Sequence, residues 1–165
     1  MRRFYLGTIL GILAVAAMTP PAAADIHNLT AALTGAQEVP PTPSAGTGSC
    51  NITLDDVTGL VTANCTFMGL TSPANAAHIH GLAPPGMNAG ILIPLTVTPA
   101  TSGTVTGSGT LSAANVTGML NGLTYVNIHT GQFPGGEIRG QIVPEPGSLG
   151  LLVIGALALI RRRQA

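Results

Sequence analysis

The 165-residue chain contains no tryptophan and no lysine, aromatic residues make up 3% of it and charged residues make up 7%. Five of its six arginines lie among the first three and the last five residues. Between residues 25 and 143 one arginine is therefore set against five carboxylates, a formal charge of −4. A protein that binds nucleic acid needs a basic surface. The composition excludes a nucleic-acid partner.

The usual arrangements of catalytic groups are also missing from the sequence. No glycine-rich phosphate loop follows a strand and opens a helix, and no serine stands in a nucleophile-elbow setting. Asp55 and Asp56 lie in a predicted turn, which aspartate favours, so they are a poor acid–base pair. Glu137 and Arg139, two apart on a predicted strand, share a face and are expected to form a surface or half-buried ion pair; the alternative is that they orient a histidine.

The amino terminus has the pattern of a cleavable secretory signal over residues 1–24. Arg2 and Arg3 give a positive start, Phe4–Met18 is an apolar run, and a series of small residues precedes Asp25. Signal peptidase accepts only small side chains before its cut. We expect a signal helix here, with cleavage between Ala24 and Asp25; the alternative is a membrane anchor that is retained.

The carboxyl terminus, residues 144–165, carries a second signal. A short motif is followed by the apolar stretch Leu149–Ile160 and a basic end. The motif consists of Pro144, Glu145 and Pro146, and the basic end of Arg161, Arg162 and Arg163. Twelve residues rise only about 18 Å as a helix, against a hydrocarbon core of about 30 Å. The apolar helix is therefore a marginal transmembrane helix, and the arginines behind it are expected not to cross.

This ending resembles the PEP-CTERM signal of Gram-negative bacteria. The resemblance implies processing by an exosortase and delivery to the cell surface, the outer membrane or the extracellular matrix. The alternative is a plain anchor that is not cut. In either case the central part of the chain faces outward, and contact with the membrane is confined to the terminal segments.

The central part, residues 25–143, is predicted to be one all-β domain. Short apolar-alternating runs recur between clusters of glycine, proline and asparagine, and about seven or more strands at this spacing indicate an antiparallel, Greek-key-like sandwich or barrel. The runs are Gly48–Leu54, Leu60–Phe67, Ala76–His80, Gly90–Val97, Gly103–Leu111, Tyr125–Thr130 and Gly136–Val143.

The only two cysteines lie on two of these runs. If the chain folds back about Val57 and Thr58, Cys50 faces Cys65 on the apolar side of a hairpin. Export places both in an oxidising compartment. We predict a disulfide between them, which would contribute about 3 kcal/mol through loop-closure entropy; the alternative is two free thiols.

Three histidines are the candidate metal ligands. His78 and His80 are two apart on a predicted strand and therefore point to one face, about 7 Å apart. On a later strand, His129 shares a face with Tyr125 and Asn127. If the two strands are close, three imidazoles converge, and sets of three histidines bind zinc and copper. The alternative is that the imidazoles hydrogen-bond the backbone of nearby loops.

Four motifs in a fixed order resemble the CHRD domain. They are Leu33–Pro41 (LTGAQEVPP), Ala77–Gly81 (AHIHG), Tyr125–Thr130 (YVNIHT) and Pro134–Ile142 (PGGEIRGQI). The resemblance extends over about residues 29–143. It implies an extracellular β-sandwich-like module and brings no established biochemical activity with it.

The histidine pattern is similar to the copper ligands of copper/zinc superoxide dismutases, a Greek-key barrel family, with His78, His80 and His129 in the matching places. The bridging histidine and the zinc-ligand cluster of that family are missing, so a single copper or zinc ion is the most this pattern implies. Our leading hypothesis is a non-enzymatic module that interacts with a surface or matrix protein or polysaccharide. The rival is a mononuclear copper or zinc domain with a redox or dismutase-like activity.

Overall fold

The computed structural model describes residues 24–145. The predicted signal helix, Pro146, the predicted apolar helix and the three terminal arginines lie outside the described residues. Within residues 24–145, no helix has the length and apolar character needed to cross a membrane.

Nine strands, one α-helix and one short 3₁₀ turn make up this part of the chain. The strands are β1 (Ile26–Thr34), β2 (Thr47–Asp55), β3 (Leu60–Met68), β4 (Ala74–Gly81), β5 (Ile91–Val97), β6 (Gly103–Thr110), β7 (Thr124–Thr130), β8 (Ile138–Gln141) and β9 (Val143–Pro144). The helix, α1, covers Ala113–Leu120, and the 3₁₀ turn covers Gly35–Gln37. The predicted all-β class is confirmed.

The sheet closes on itself into an antiparallel barrel. Its strands follow the order β2-β3-β6-β5-β4-β7-β8-β1, and β1 pairs with β2 again, so eight strands form the ring. The ninth, β9, pairs with β1 beyond the point where β8 leaves it. Strands β4, β5 and β6 are consecutive neighbours and β7 returns to lie beside β4, which is a Greek key. The predicted Greek-key arrangement is observed, in its barrel form.

The hairpin of β2 and β3 has the predicted register. Cys50 lies opposite Cys65, and the two form a disulfide. The turn between the strands is held by Asp55, whose carboxylate accepts hydrogen bonds from the backbone N–H groups of Val57 and Thr58 at 3.0 and 2.8 Å. Gly59 ends the turn with a φ of 72°, a conformation that side chains disfavour. The predicted turn residues therefore stabilise the turn itself.

Alternating side chains of the strands fill the barrel. On β6 the inward positions beyond Val105 are Gly107 and Gly109, because a Cβ at either place would lie within 3 Å of a β5 side chain, Leu95 or Ile93. Small residues on one strand thus make room for large residues on its neighbour. The fully buried apolar side chains include Leu29, Leu33, Ile52, Leu54, Val61, Ile79, Val105, Met119, Val126, Ile128, Ile138 and Ile142.

Two elements were not predicted. Strand β1 buries Leu29, Ala31 and Leu33 at period two, but small residues between them weaken the contrast along the sequence. Helix α1 is eight residues long and buries Val116 and Met119, too few positions to display a 3.6-residue period.

Candidate metal centre

The candidate site lies on the outer face of strands β4 and β7. These strands are antiparallel neighbours, with His78 opposite Asn127 and His80 opposite Tyr125. Because side chains alternate along a strand, these four residues and His129 project away from the barrel core. Tyr125 and Asn127 are nevertheless only 2% and 3% exposed. Something other than the core must therefore cover this face.

Three loops provide that cover. The loop of residues 35–46 reaches Asn127 through Glu38, whose two carboxylate oxygens accept hydrogen bonds from the Asn127 amide at 3.0 and 3.1 Å. The loop of residues 82–90 reaches Tyr125, whose hydroxyl accepts a hydrogen bond from the Ala89 N–H at 3.0 Å. The loop of residues 131–137 bends over the end of β7. The histidines lie in the half-buried space that the loops leave open.

The structure brings the three imidazoles of His78, His80 and His129 together. The Nδ1 atom of His78 lies 3.0 Å from the Nε2 atom of His129. The ring centroid of His78 lies 5.4 Å from that of His80 and 4.9 Å from that of His129. One nitrogen from each ring can be chosen so that all three lie within 4.8 Å of one another. A single ion can reach all three nitrogens after small side-chain rotations.

Backbone carbonyls orient two of the rings. The Nδ1 atom of His80 lies 3.0 Å from the carbonyl oxygen of Ala89, and the Nδ1 atom of His129 lies 2.9 Å from that of Pro134. A carbonyl only accepts hydrogen bonds, so each Nδ1 carries the proton and each Nε2 has the lone pair, which in His129 accepts a hydrogen bond from the Nδ1 atom of His78. The Nε2 atom of His80 is buried and has no hydrogen-bond partner among residues 24–145. Ligating histidines in proteins are held through their other ring nitrogen in the same way.

The electrostatics of the cluster favour neutral imidazoles. Burial lowers the pKa of His78, and the neighbouring rings of His129 and His80 lower it further. Burial is also the main cause that lowers the pKa of His80, against the raising effect of its hydrogen bond to Ala89. A metal ion binds the deprotonated imidazole. Around neutral pH both rings therefore offer lone pairs.

Behind His80 the site continues as a stack of three side chains. The ring of His80 stacks on that of Tyr125, with centroids 4.9 Å apart and planes 3° from parallel. The guanidinium carbon of Arg139 lies 3.4 Å from the centre of the same Tyr125 ring. Two groups this close to one ring occupy its two faces. The stack fixes the plane of His80, and cation–π attraction strengthens it.

The predicted pairing of Glu137 with Arg139 is wrong. Both side chains are buried, at 0% and 1% exposure, but in different surroundings. The Glu137 carboxylate accepts hydrogen bonds from the hydroxyls of Ser44, Thr71 and Thr130 and from the Thr71 N–H, at 2.7 to 3.0 Å. Arg139 lies on the Tyr125 side instead. Glu137 is the last residue of the loop before β8 and lies outside the strand, so the period-two rule does not apply to this pair.

Sequence reasoning identified the three histidines and the face that Tyr125 and Asn127 share with His129. It also gave, as the alternative, hydrogen bonds from the imidazoles to the backbone of nearby loops, and the carbonyls of Ala89 and Pro134 make such bonds. It missed Glu38 and the position of Arg139 over Tyr125. Glu38 comes from a loop 89 positions away from Asn127, and no local pattern marks it. Arg139 carried one signal, because it is the single arginine between residues 25 and 143.

Comparisons with known proteins identify two segments. Residues 29–142 match the family described as CHRD domain, and residues 143–164 match the PEP-CTERM protein-sorting motif. The resemblances to the CHRD domain and to the PEP-CTERM signal are thus confirmed. The chain matches no curated protein and no solved structure.

Proposed function

The chain belongs to the CHRD domain family and is an exported, surface-associated bacterial protein, and we propose that its domain binds one copper or zinc ion through His78, His80 and His129. The observation that carries the proposal is the buried Nε2 atom of His80, which has no partner and lies beside two further imidazoles. A buried polar atom without a partner is costly, and a bound cation would satisfy it.

The donor set fits this class of ion. Nitrogen ligands about 2.0–2.1 Å from a tetrahedral zinc ion lie about 3.3–3.4 Å from one another. The nitrogens of His78 and His129 are at 3.0 Å, and all three nitrogens are within 4.8 Å, so modest rotation of the rings gives the required spacing. The hydrogen bond between His78 and His129 would be exchanged for two bonds to the ion, with the His78 proton moving from Nδ1 to Nε2. Three protein ligands leave a position for water or a substrate, and copper there would supply redox chemistry.

Single-ion rather than paired-ion binding is proposed because the described residues 24–145 hold one such group of ligands. The fourth histidine, His27, lies on β1 and contacts Asp56 at 3.3 Å. It is not among the ligand atoms of the cluster. A second ion bridged by a histidine has no ligands in this part of the chain.

The test is metal analysis of the full-length protein, expressed without an affinity His tag and dialysed against copper or zinc. We expect one ion per chain, with His80→Ala or His129→Ala lowering the affinity by more than about 100-fold, the upper end of the effect of residues that only support a metal ligand. His27→Ala is the matched control and should keep the ion. A wild-type protein that stays free of both metals after dialysis would exclude the proposal.

A second candidate function, a non-enzymatic interaction module, is supported by a different surface. The outward side chains of β2, β3 and β6 form uncharged rows across the three strands, in register with one another. The rows are Ser49, Thr66 and Thr104; Asn51, Asn64 and Thr106; and Thr53, Thr62 and Ser108. Such an array of hydroxyl and amide groups offers many neutral hydrogen-bonding groups to a surface protein or polysaccharide. Loss of surface retention in a variant with Asn51→Lys and Asn64→Lys, but not in His80→Ala, would favour this function over metal binding.

The segments that flank the domain bear on how the chain is processed during export. The sorting motif implies an exosortase-type enzyme as a partner. We further propose that signal peptidase cuts between Ala24 and Asp25, and that residues 25–143 form the mature domain. In support, β1 begins at Ile26 and β9 ends at Pro144. Mass spectrometry of the protein recovered from the cell surface would give both termini; an amino terminus at Met1 would contradict the first cut.

A further inference from the structure

Next to the metal centre, on the other side of Tyr125, is a cavity of about 400 Å³. Its walls are formed by Val39 and Pro41 of one loop and Pro85 of another. Polar side chains of Glu38 and Arg139 also line it. The volume is in the range of small-molecule sites in proteins, which have mostly apolar walls and a few polar groups.

The guanidinium of Arg139 is a buried cation without an anionic partner in direct contact. Its hydrogen bonds go to the side-chain oxygen of Asn88 at 3.1 Å, the carbonyl oxygen of Met87 at 2.8 Å and the side-chain oxygen of Gln141 at 3.5 Å. All three acceptors are neutral. Among residues 24–145 no carboxylate oxygen lies within 4.0 Å of its nitrogens, since the one ion pair found there joins His27 to Asp56. A buried charge is costly unless it is paired.

The carboxyl group of Glu38 cancels this charge only in part. Its oxygens accept hydrogen bonds from the Asn127 amide. Burial raises the pKa of Glu38 to about 7, against the lowering effect of Arg139. A large part of the Glu38 population is therefore protonated at neutral pH, and the cavity keeps a net positive charge from Arg139.

We propose that this cavity binds a small organic carboxylate, whose anionic group pairs with Arg139 and whose apolar part lies against Val39, Pro41 and Pro85. A guanidinium has five N–H donors in a planar fork that suits a carboxylate, and the three acceptors named above leave some of them free. Charge-assisted hydrogen bonds in a partly dry site are stronger than neutral ones. The cavity has room for one or two units of the size of a sugar or an amino acid.

The test is calorimetric titration of the full-length protein in the presence of EDTA, so that a metal ion cannot hold the probe. The probes are galacturonate and N-acetylglycine, with galactose and N-acetylglycinamide as neutral counterparts of the same shape. We expect saturable binding of one or both carboxylates and none of the neutral compounds. The acid that binds distinguishes a sugar-acid ligand from an amino-acid-like ligand. No saturation by either carboxylate up to about 20 mM, or equal binding of a neutral counterpart, would overturn the proposal.

Two variants locate the site. Arg139→Gln removes the charge and should weaken binding by about tenfold or more, the effect of losing a charge-assisted hydrogen bond. Because Arg139 is buried, a second variant acts from the surface: Pro85→Asp places a negative charge at the exposed mouth of the cavity and should also weaken binding. Thr106→Asp, which adds the same charge on an exposed part of β6, is the control. If Pro85→Asp binds the carboxylate as tightly as Thr106→Asp does, the ligand is not in this cavity.

Discussion

At the scale of single residues, Glu38 shows how strongly folding alters a side chain that looks ordinary in the sequence. It stands in the stretch of residues 33–41, which has no other charged residue, and it becomes 4% exposed. Gly136 makes this possible, because a Cβ there would lie 2.6 Å from the Glu38 carboxylate and would also collide with Asn127. Glu38 lies 89 positions before Asn127 and still further from Gly136 along the chain, so no local sequence pattern indicates these contacts.

The buried carboxyl predicts a pH dependence of stability. Folding raises the pKa of Glu38 from 4.5 to about 7. When folding raises the pKa of a carboxyl, the group stabilises the fold most at pH values below its unfolded-state pKa. This stabilisation is lost as the pH rises from 4.5 to 7. The loss is at most about 3 kcal/mol. Glu38→Gln should therefore be more stable than the wild type at pH 8 and similar to it at pH 5, by urea unfolding at each pH. Exposed Glu145→Gln is the control; the same pH profile in both variants would contradict the prediction.

The three candidate metal ligands are a second residue-scale case. The period-two rule placed His78 and His80 on one face of β4. The same alternation along β7 placed His129 on one face with Tyr125. The choice of ring nitrogen depends on the carbonyls of Ala89 and Pro134, which only the folded loops supply.

At the scale of elements, the hairpin of β2 and β3 is where sequence and structure agree most closely. Apolar alternation fixes its register, since a slip by one residue would turn every apolar side chain outward. Helix α1 is the contrary case. Its amino-terminal signal is Ser112, whose hydroxyl accepts a hydrogen bond from the Asn115 N–H at 3.4 Å, and a helix of two turns gives little else to recognise.

Removing the disulfide should destabilise the domain without changing its register. Cys50 and Cys65 enclose a separation of 15 residues, and a loop of this size corresponds to about 3 kcal/mol. We expect the double variant Cys50→Ala/Cys65→Ala to lose about that free energy of unfolding, while Ile52 and Leu54 keep the strands aligned. Denaturant unfolding measures the loss, and the chemically reduced wild type is its control. Unchanged stability in both samples would show that the cross-link does not restrict the unfolded chain.

At the scale of the whole molecule, Glu137 connects segments that lie far apart in the chain. Its donors come from the β1–β2 connection (Ser44), the β3–β4 connection (Thr71) and strand β7 (Thr130). Burial raises its pKa, but these hydrogen bonds outweigh burial and hold the pKa of Glu137 below the ordinary 4.5. A carboxylate with this many donors stabilises the fold only while it is ionised.

Glu137 should therefore be a source of acid sensitivity. A lowered folded-state pKa gives stability that is present above the unfolded pKa of 4.5 and is lost as the pH falls below it. Glu137→Gln should lower the free energy of unfolding at pH 7 by about 2–4 kcal/mol, since charge-assisted hydrogen bonds are lost, and should flatten the decline below pH 4.5. Thr71→Val, which removes one hydroxyl donor, should have a smaller effect of the same sign. The measurement is thermal unfolding from pH 3 to 7; an equally steep acid decline in Glu137→Gln would contradict it.

The sequence by itself determined that this protein is exported and sorted to the surface, that its fold is all-β, the register of one hairpin and the three candidate ligands. Each of these depends on composition or on the spacing of a few residues. Only the tertiary structure decided that the sheet closes into a barrel, that the side chains of Glu137 and Arg139 lie in different surroundings, and that Tyr125 lies between His80 and Arg139. These features depend on contacts between distant parts of the chain, such as β1 with β8, Ser44 with Glu137 and His80 with Tyr125. Contacts between residues so far apart are set by how the whole barrel closes, and the local periodicity of the sequence does not indicate them.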